Sequence, residues 1–239
     1  MSIIKLLIFN IFPNSVNKLY CTNNQITNFQ YLPNSVTVIY CTFNQITSFQ
    51  YLPNSVTVLN CSNNEITSFQ HLPNSVTVLN CCNNQITGFQ HLPNSVTELL
   101  CDNNQITSFK HIPNSITNLW CCDNQITNFQ HLVNSVTHLT CCYNQITNFK
   151  HFPNNIIYLY CSNNPINNIT NLLYIPSGFL CDIKITPNEI YKNRVIYKLN
   201  KNKQATRIQK IWQKYWYTDL IDVDGIQMCR FGYYSWKHM

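Results

Sequence analysis

An asparagine recurs every 20 residues along most of this chain: Asn24, Asn44, Asn64, Asn84, Asn104, Asn124, Asn144 and Asn164. The same line of residues is rewritten around each one. Its clearest copy is Val56-Thr57-Val58-Leu59-Asn60-Cys61-Ser62-Asn63-Asn64-Glu65-Ile66, and copies run from Val16 to Ile166. A period of this length means one supersecondary unit per repeat. No unit can bury its apolar side alone, so neighbours must stack.

The columns of the repeat have separate physical tasks. Val36, Ile39 and Cys41 are apolar at alternating or near-alternating positions, which predicts a short half-buried strand. Ile46, Phe49 and Leu52 continue the apolar column, so each coil points six side chains into a shared interior. The next coil, about 4.8 Å away, closes that interior. After each strand the chain must turn sharply, leaving buried N–H and C=O groups without ladder partners. An Asn amide carries donors and an acceptor and satisfies both kinds. Stacked Asn side chains are also expected to bond to one another along the ladder. Pro33, Pro53, Pro73, Pro93 and Pro113 precede Asn-Ser on the return path, with Val133 in their place in one coil. Pro fixes φ and donates nothing, so an extended, irregular return without a helix is expected.

The pattern L-P-N-S-V-T-x-L-x-C-x-x-N-x-I-T-x-F resembles the 20-residue leucine-rich repeats of secreted bacterial effectors, whose unit reads L-P-x-x-L-x-x-L-x-V-x-x-N-x-L. It is similar still more closely to the leucine-rich repeat proteins of giant amoeba-infecting DNA viruses and social amoebae, which share the Cys, Asn and Ile bias. The resemblance covers residues 1 to about 170. It implies a leucine-rich repeat solenoid with parallel β-strands on the concave face, an irregular extended return path, and partner binding. Residues 1–183 are expected to form this solenoid, with eight full repeats and a worn ninth around Phe179-Leu180-Cys181. Residues 184–239 are expected to form a basic helical segment that caps it.

The ends of the chain fit this division. Met1 to Phe12 is apolar, but Leu6, Phe9 and Phe12 fall in the columns of Ile26, Phe29 and Leu32. The stretch reads as the back half of a coil and is too short to span a bilayer. Thr186-Pro187-Asn188-Glu189 has the form of a capping box and predicts a helix start, with Tyr191, Val195 and Leu199 on one face. A second helical pattern runs through Ala205, Ile208, Trp212, Tyr215 and Trp216, and Asp224-Gly225 suggests a hairpin turn. Residues 1–170 carry four Lys and four acids, so the whole formal charge of +6 lies in 171–239. A basic amphipathic segment can bind nucleic acid or an anionic surface. It can equally cover the open end of a solenoid.

Thirteen cysteines divide into a ladder of nine from Cys21 to Cys181, three doublet partners (Cys82, Cys122, Cys142) and Cys229. Ladder thiols one strand apart sit about 4.8 Å from each other, beyond the roughly 3.5–4.5 Å that a disulfide needs between Cβ atoms. They read as small core residues. An odd count without a paired framework points to an intracellular, reducing compartment. Cys122 and Cys142 face outward, but nothing near them completes a zinc spacing, so no metal is expected. His71, His91, His111, His131 and His151 form a column on the return path. Tyr31 and Tyr51 take the same place, which marks it as a solvated turn position. The chain has four Gly, no phosphate-binding loop, no nucleophile elbow and no supported pair of carboxylates. No catalytic residue, no enzyme activity and no cofactor are expected.

Function is then expected in the columns that vary. These are the outward ones of Val38, Tyr40, Thr42 and Phe43. Tyr20, Tyr40 and Phe43 make an aromatic group near the start, and Glu98, Leu100, Asp102, Trp120, Asp123, His138, Tyr143, Tyr158 and Tyr160 fall together later. An aromatic anchor rimmed by polar and acidic groups is the usual composition of an interface centre. The expected function is non-catalytic protein–protein interaction on the concave face, by a monomer without a membrane span. Trp120, Leu100, Glu98, Asp102, Asp123, His138, Tyr143, Tyr158, Tyr160, Tyr40 and Phe43 are the candidate partner-binding residues. A nucleic-acid partner is not expected; the alternative reading is nucleic-acid or anionic-surface binding through the basic C-terminal segment.

Overall fold

The computed structural model describes residues 15–182 and 188–194, and the backbone of two strands at 220–223 and 226–229. The expected half coil before residue 15 and the second helical pattern over 205–216 lie outside the described residues. The chain divides into two compact units. One is Met1–Asn168 with Pro176–Asp182; the other is Ile169–Ile175 with Ile183–Met239.

In the first unit nine three-residue strands form one parallel sheet in chain order. They are β1 (Lys18–Tyr20), β2 (Val38–Tyr40), β3 (Val58–Asn60), β4 (Val78–Asn80), β5 (Glu98–Leu100), β6 (Asn118–Trp120), β7 (His138–Thr140), β8 (Tyr158–Tyr160) and β9 (Gly178–Leu180). Every strand residue pairs with the residue 20 positions further on, as Leu59 does with Leu79. The worn ninth strand keeps this register, with Leu159 opposite Phe179. A slip of one residue would turn the central Leu out of the core, so the apolar column fixes the pairing.

The six expected core columns are buried: in one coil Val56, Leu59, Cys61, Ile66 and Phe69 are at most 1% exposed and Leu72 is 7% exposed. Phe89, Phe109, Phe129 and Phe149 stack through the interior with ring centroids 5.7–6.4 Å apart. Phe152 meets two of them edge-on. Such pairs add about 0.5–1.5 kcal/mol beyond the area they bury. The ladder cysteines are more than apolar filling. Cys61 Sγ donates to the Asn80 carbonyl at 3.4 Å, and Cys101 Sγ to the Trp120 carbonyl at 3.2 Å. A thiol, unlike the Val of the bacterial unit, has a weak donor to offer the next strand.

The Asn column ties each coil to the one before it. Asn84 Oδ1 accepts from the Ile66 N–H at 2.9 Å. Its Nδ2 donates to the carbonyls of Cys61, Cys81 and Cys82 at 3.0–3.1 Å. The same set recurs at Asn44, Asn64, Asn104, Asn124 and Asn144. The expected side-chain-to-side-chain Asn ladder is not what the amides form. They bond main-chain groups instead, because buried N–H groups such as that of Ile66 have no other partner. In the ninth coil the column holds Lys184. There the Ile166 N–H, which an Asn at that place would take, goes to its own Asn164 carbonyl at 2.8 Å.

Two columns hold left-handed backbone. The residue before each ladder Asn has φ between 52° and 57°: Asn23, Phe43, Asn63, Asn83, Asn103, Asp123, Tyr143 and Asn163. The other column is Tyr31, Tyr51, His71, His91, His111, His131 and His151, with φ of 64–72°. It is the third residue of a turn closed by a bond such as Leu72 N–H to the Phe69 carbonyl at 3.1 Å. Positive φ there is the type II signature. Asn, Asp and His tolerate this region better than most residues, which accounts for their enrichment. The His column is exposed, as a solvated turn should be. Pro73 opens the next turn, its carbonyl accepting from the Val76 N–H. The return path therefore consists of turns and extended chain.

In the second unit residues 188–194 are helical. Of the expected apolar face, Val195 and Leu199 lie outside the described residues; Tyr191 is 37% exposed, whereas Ile190 and Asn193 are buried. Asn193 Nδ2 donates to the carbonyls of Ile169 and Leu172, and Arg194 Nε to that of Leu173. Those carbonyls draw the polar side chain inward. The hairpin is present: β10 (Leu220–Val223) pairs antiparallel with β11 (Ile226–Cys229), Val223 opposite Ile226.

Two outcomes follow. Asn84→Ala leaves the Ile66 N–H unsatisfied in the core and takes from the Cys61 carbonyl one of its two amide donors, at a cost of about 1–3 kcal/mol. Asn83→Ala puts at φ 54° a residue that tolerates the left-handed region less well than Asn and costs about 1 kcal/mol, not the little that its outward position alone suggests. Glycine separates the two in urea melts: Asn83→Gly keeps parental stability and Asn84→Gly does not. Equal losses for both glycines would contradict the assigned roles.

The second outcome concerns alkali. Burial holds the thiols of Cys41, Cys61, Cys81, Cys101, Cys121 and Cys141 well above their usual 9.0. The unfolded chain ionises them from about pH 8.5, so above that pH it holds fewer protons than the folded chain and stability falls. Each thiol adds a slope of about 1.4 kcal/mol per pH unit. Urea midpoints of the reduced protein should be level from about pH 7 to 8.5 and drop steeply toward pH 11. Cys61→Ala with Cys101→Ala removes two of the ten described thiols that are raised and should flatten the drop by roughly a fifth. A level profile through pH 11 would refute this account.

Candidate functional site

Outward positions of the sheet differ in how much of the array depends on them. The strand ends with an N–H that the ladder leaves without an acceptor, one residue after each ladder Cys. The chain supplies acceptors case by case. Asn60 Oδ1 takes the Ser62 N–H at 3.2 Å, and Asn80 Oδ1 takes the Cys82 N–H at 3.1 Å. Asp102 Oδ1 takes the Cys122 N–H at 2.6 Å, and Cys122 Sγ takes the Cys142 N–H at 3.1 Å. These residues vary in identity while serving one structural need. Variation alone does not mark them as recognition residues.

Asp102 serves this structural need and is engaged on both of its oxygens. Its second oxygen accepts from Cys82 Sγ at 3.7 Å, and the side chain is half-buried. Burial pushes its carboxyl up from the usual 3.8, while the bonds from Cys122 and Cys82 pull it down. Burial, and then the Asp102 charge, push the Cys82 thiol up to about 12. Burial raises Cys122 as well, followed by its neighbours Cys142 and Asp102. Thiols so held are poor nucleophiles and poor ligands. No group of three or more His, Cys, Asp or Glu among the described residues is placed to hold a metal ion.

The remaining candidates stand on the sheet without such duties. Leu100, Trp120 and Thr140 are consecutive partners across β5, β6 and β7, so the half-buried indole has Leu100 on one side and Thr140 on the other. Glu98 is two residues before Leu100 on β5. His138 and Tyr158 face each other on β7 and β8 with stacked rings 4.8 Å apart. Tyr160 follows, 41% exposed. Asp123 and Tyr143 occupy the left-handed column just beyond β6 and β7. Tyr40 and Phe43 are away from this group, at β2, three strands before β5. Tyr40 stacks on Tyr20 at 5.1 Å and 3°.

Phe43 and Tyr143 are the costly choices in their column. A bulky residue in the left-handed region is disfavoured by about 1–2 kcal/mol. Asn occupies the same place in five coils. Yet both rings project into solvent, 55% and 57% exposed. Sequence reading missed Gly178. A Cβ there would lie 2.0 Å from Tyr158 Cδ1, so the ring lies directly over this glycine. The signal was present, since one of only four glycines falls in a strand column.

Thiol labelling tests the face assignment. Half-buried Cys82, Cys122 and Cys142 should react with an alkylating reagent before buried Cys61 and Cys101. Asp102→Asn removes the charge that raises the Cys82 thiol and should speed its labelling severalfold at pH 8, read by peptide mass mapping. Labelling of Cys61 as fast as Cys142 would put the strand faces the wrong way round.

Comparison with known proteins places the architecture. No protein-family model matches the chain, and no curated protein matches it. Among solved structures, YopM from Yersinia enterocolitica WA-314 is similar at 24% identity and TM-score 0.60, over 75% of this chain and 41% of that one. An internalin (inlF) from Listeria monocytogenes is similar at 21% identity and TM-score 0.62, over 72% and 56%. The leucine-rich effector YopM from Yersinia pestis is similar at 20% identity and TM-score 0.54, over 76% and 59%. The chain spans about half the length of these structures. With nine parallel strands and a 20-residue coil, its repeat unit has the fold of a leucine-rich repeat solenoid.

Proposed function

We propose that this chain is a non-catalytic binding module that engages another protein on the strand face, taken as the concave side, with Trp120 near the centre. One observation carries the reading. Glu98, Leu100, Trp120, Asp123, His138, Tyr143, Tyr158 and Tyr160 lie together over β5 to β8, and the need for N–H acceptors that accounts for Asn60, Asn80, Asp102 and Cys122 does not account for them. Two further features support it: the exposed ring of Tyr143 on disfavoured backbone, and the composition, aromatic with an acidic rim. Tyr40 and Phe43 are proposed as a separate, secondary contact. The Cys, Asn and Ile bias favours the viral and amoebal arrays as relatives, and the unpaired thiols favour a reducing compartment. Among the described residues no helix is long and apolar enough to cross a membrane.

Trp120→Ala should weaken binding of a captured protein partner by about 30-fold, the 2 kcal/mol typical of a central Trp. It should move the melting temperature little. A partner held equally well by this variant would refute the reading.

Residues 184–239 are proposed as the cap of the array. Deleting them should lower the melting temperature or cause aggregation. A truncated chain as stable as the parent would instead favour an independent binding segment, suggested by the +6 confined to residues 171–239. Steep loss of binding with salt would then identify nucleic acid or an anionic surface as its target.

A further inference from the structure

We infer that the face over β5 to β8 takes an extended, arginine-bearing segment of the partner protein. This rests on the reading of the strand face as a protein-binding surface. The first argument is charge. Glu98, Asp123 and Asp182 stand in the outward columns, and those columns hold no Lys or Arg from β2 to β9. Lys18 is on β1, four strands from Glu98, or about 19 Å at the spacing of parallel strands. That exceeds the screening length of about 8 Å at physiological salt. Asp102 is occupied by Cys122 and Cys82, and Asp182 by the Asn163 N–H, so the carboxylates open to a partner are Glu98 and Asp123.

The second argument is the combination of groups. Glu98 lies one strand over from Trp120 and two residues before it; Asp123 lies three residues after it. A guanidinium is planar and weakly hydrated, stacks on aromatic faces and still offers paired donors to a carboxylate. An ammonium on a flexible stem does the second without the first. Phosphate-bearing polymers and anionic lipid are repelled by the same carboxylates.

The third argument is preorganisation. Tyr158 is held between the His138 ring, stacked at 4.8 Å and 26°, and the backbone of Gly178. His138 is itself fixed by a contact between its Nδ1 and Thr137 Oγ1 at 2.9 Å. Side chains already ordered lose little entropy when a ligand lands on them. The distance from β5 to β8 is three strand spacings, about 14 Å, which four or five extended residues span. Alternate side chains of such a segment point the same way, so arginines two apart both reach the face.

The test uses the full chain and three labelled nine-residue peptides, in which Ser alternates with Arg, with Lys or with Glu. Fluorescence anisotropy should show the Arg peptide binding at least fivefold more tightly than the Lys peptide, and the Glu peptide not at all. Trp120→Ala should weaken Arg-peptide binding tenfold or more. Glu98→Gln with Asp123→Asn should do the same and flatten the salt dependence. Asp123→Asn installs the residue already present at Asn83 and Asn103 on the same backbone, so the fold should tolerate it. No binding of the Arg peptide, equal binding of the Arg and Lys peptides, or binding unchanged in the double variant overturns the inference. If a captured partner still depends on Trp120 in that event, the strand face stands as a binding surface for a partner of other chemistry. If the partner is indifferent to Trp120, both readings fall.

Discussion

The structure depends on one side chain placed where the coil turns. From Asn44 on, each ladder Asn closes its own turn by donating to the carbonyls two and three residues earlier, and reaches into the preceding coil for one more carbonyl and one N–H. Four buried main-chain groups are satisfied by one amide. Neither an aliphatic residue nor an acid can substitute, since each lacks the donors. The geometry also has to be reached. The residue before the Asn adopts the left-handed conformation in every described coil, and the chain is only three residues past its strand. Hydrophobic burial supplies most of the drive to stack, but it is indifferent to sliding. The amide is what makes adjacent coils stop at one pitch and one register.

That constraint also sorts the outer surface. A residue on the sheet serves the coil, or serves a partner, or does both at some expense to one. Asn60 and Asn80 serve the coil by capping an N–H two residues on. Asp102 serves the next coil in the same way from a different position. The aromatic and acidic residues over β5 to β8 carry no such function, and Tyr143 stands on backbone that Asn would occupy more easily. Because the coils are otherwise near-copies, each departure can be compared with its own neighbours in the same chain.

Much of this was legible in the sequence. The strand face, the buried Leu, Cys, Ile and Phe columns and the paired function of Asn follow from a strict 20-residue period, which averages away local noise. What escaped was geometry that periodicity does not encode. Phe43, Asp123 and Tyr143 looked like freely varying outward residues, because a positive φ leaves no trace in hydrophobic pattern. The trace lies in composition, in the five asparagines that share their column. The engagement of Asp102 was hidden for another reason, since its partner is 20 residues away in sequence and one strand away in space. Helical spacing put Tyr191 on one face with Val195 and Leu199 and said nothing of Asn193. Asn193 holds the buried place because the carbonyls of Ile169 and Leu172 accept from its amide, which helical spacing does not reveal.

The reach of each amide is also one-way. Asn64 secures groups of the coil that contains Cys41 and Ile46, and nothing in that coil secures Asn64 in return by the same means. Peeling a coil from the front end of the array leaves the next amide with its own turn still closed and one face turned to water. Peeling a coil from the back end strips the preceding coil of the group that covered its buried N–H. Ile166, before the coil that lacks Asn, has already turned its N–H back onto Asn164. The solenoid is therefore a ratchet for fraying, looser at its leading end and locked from behind. Loss or gain of repeats during the history of such a chain should be easier to accommodate at the front.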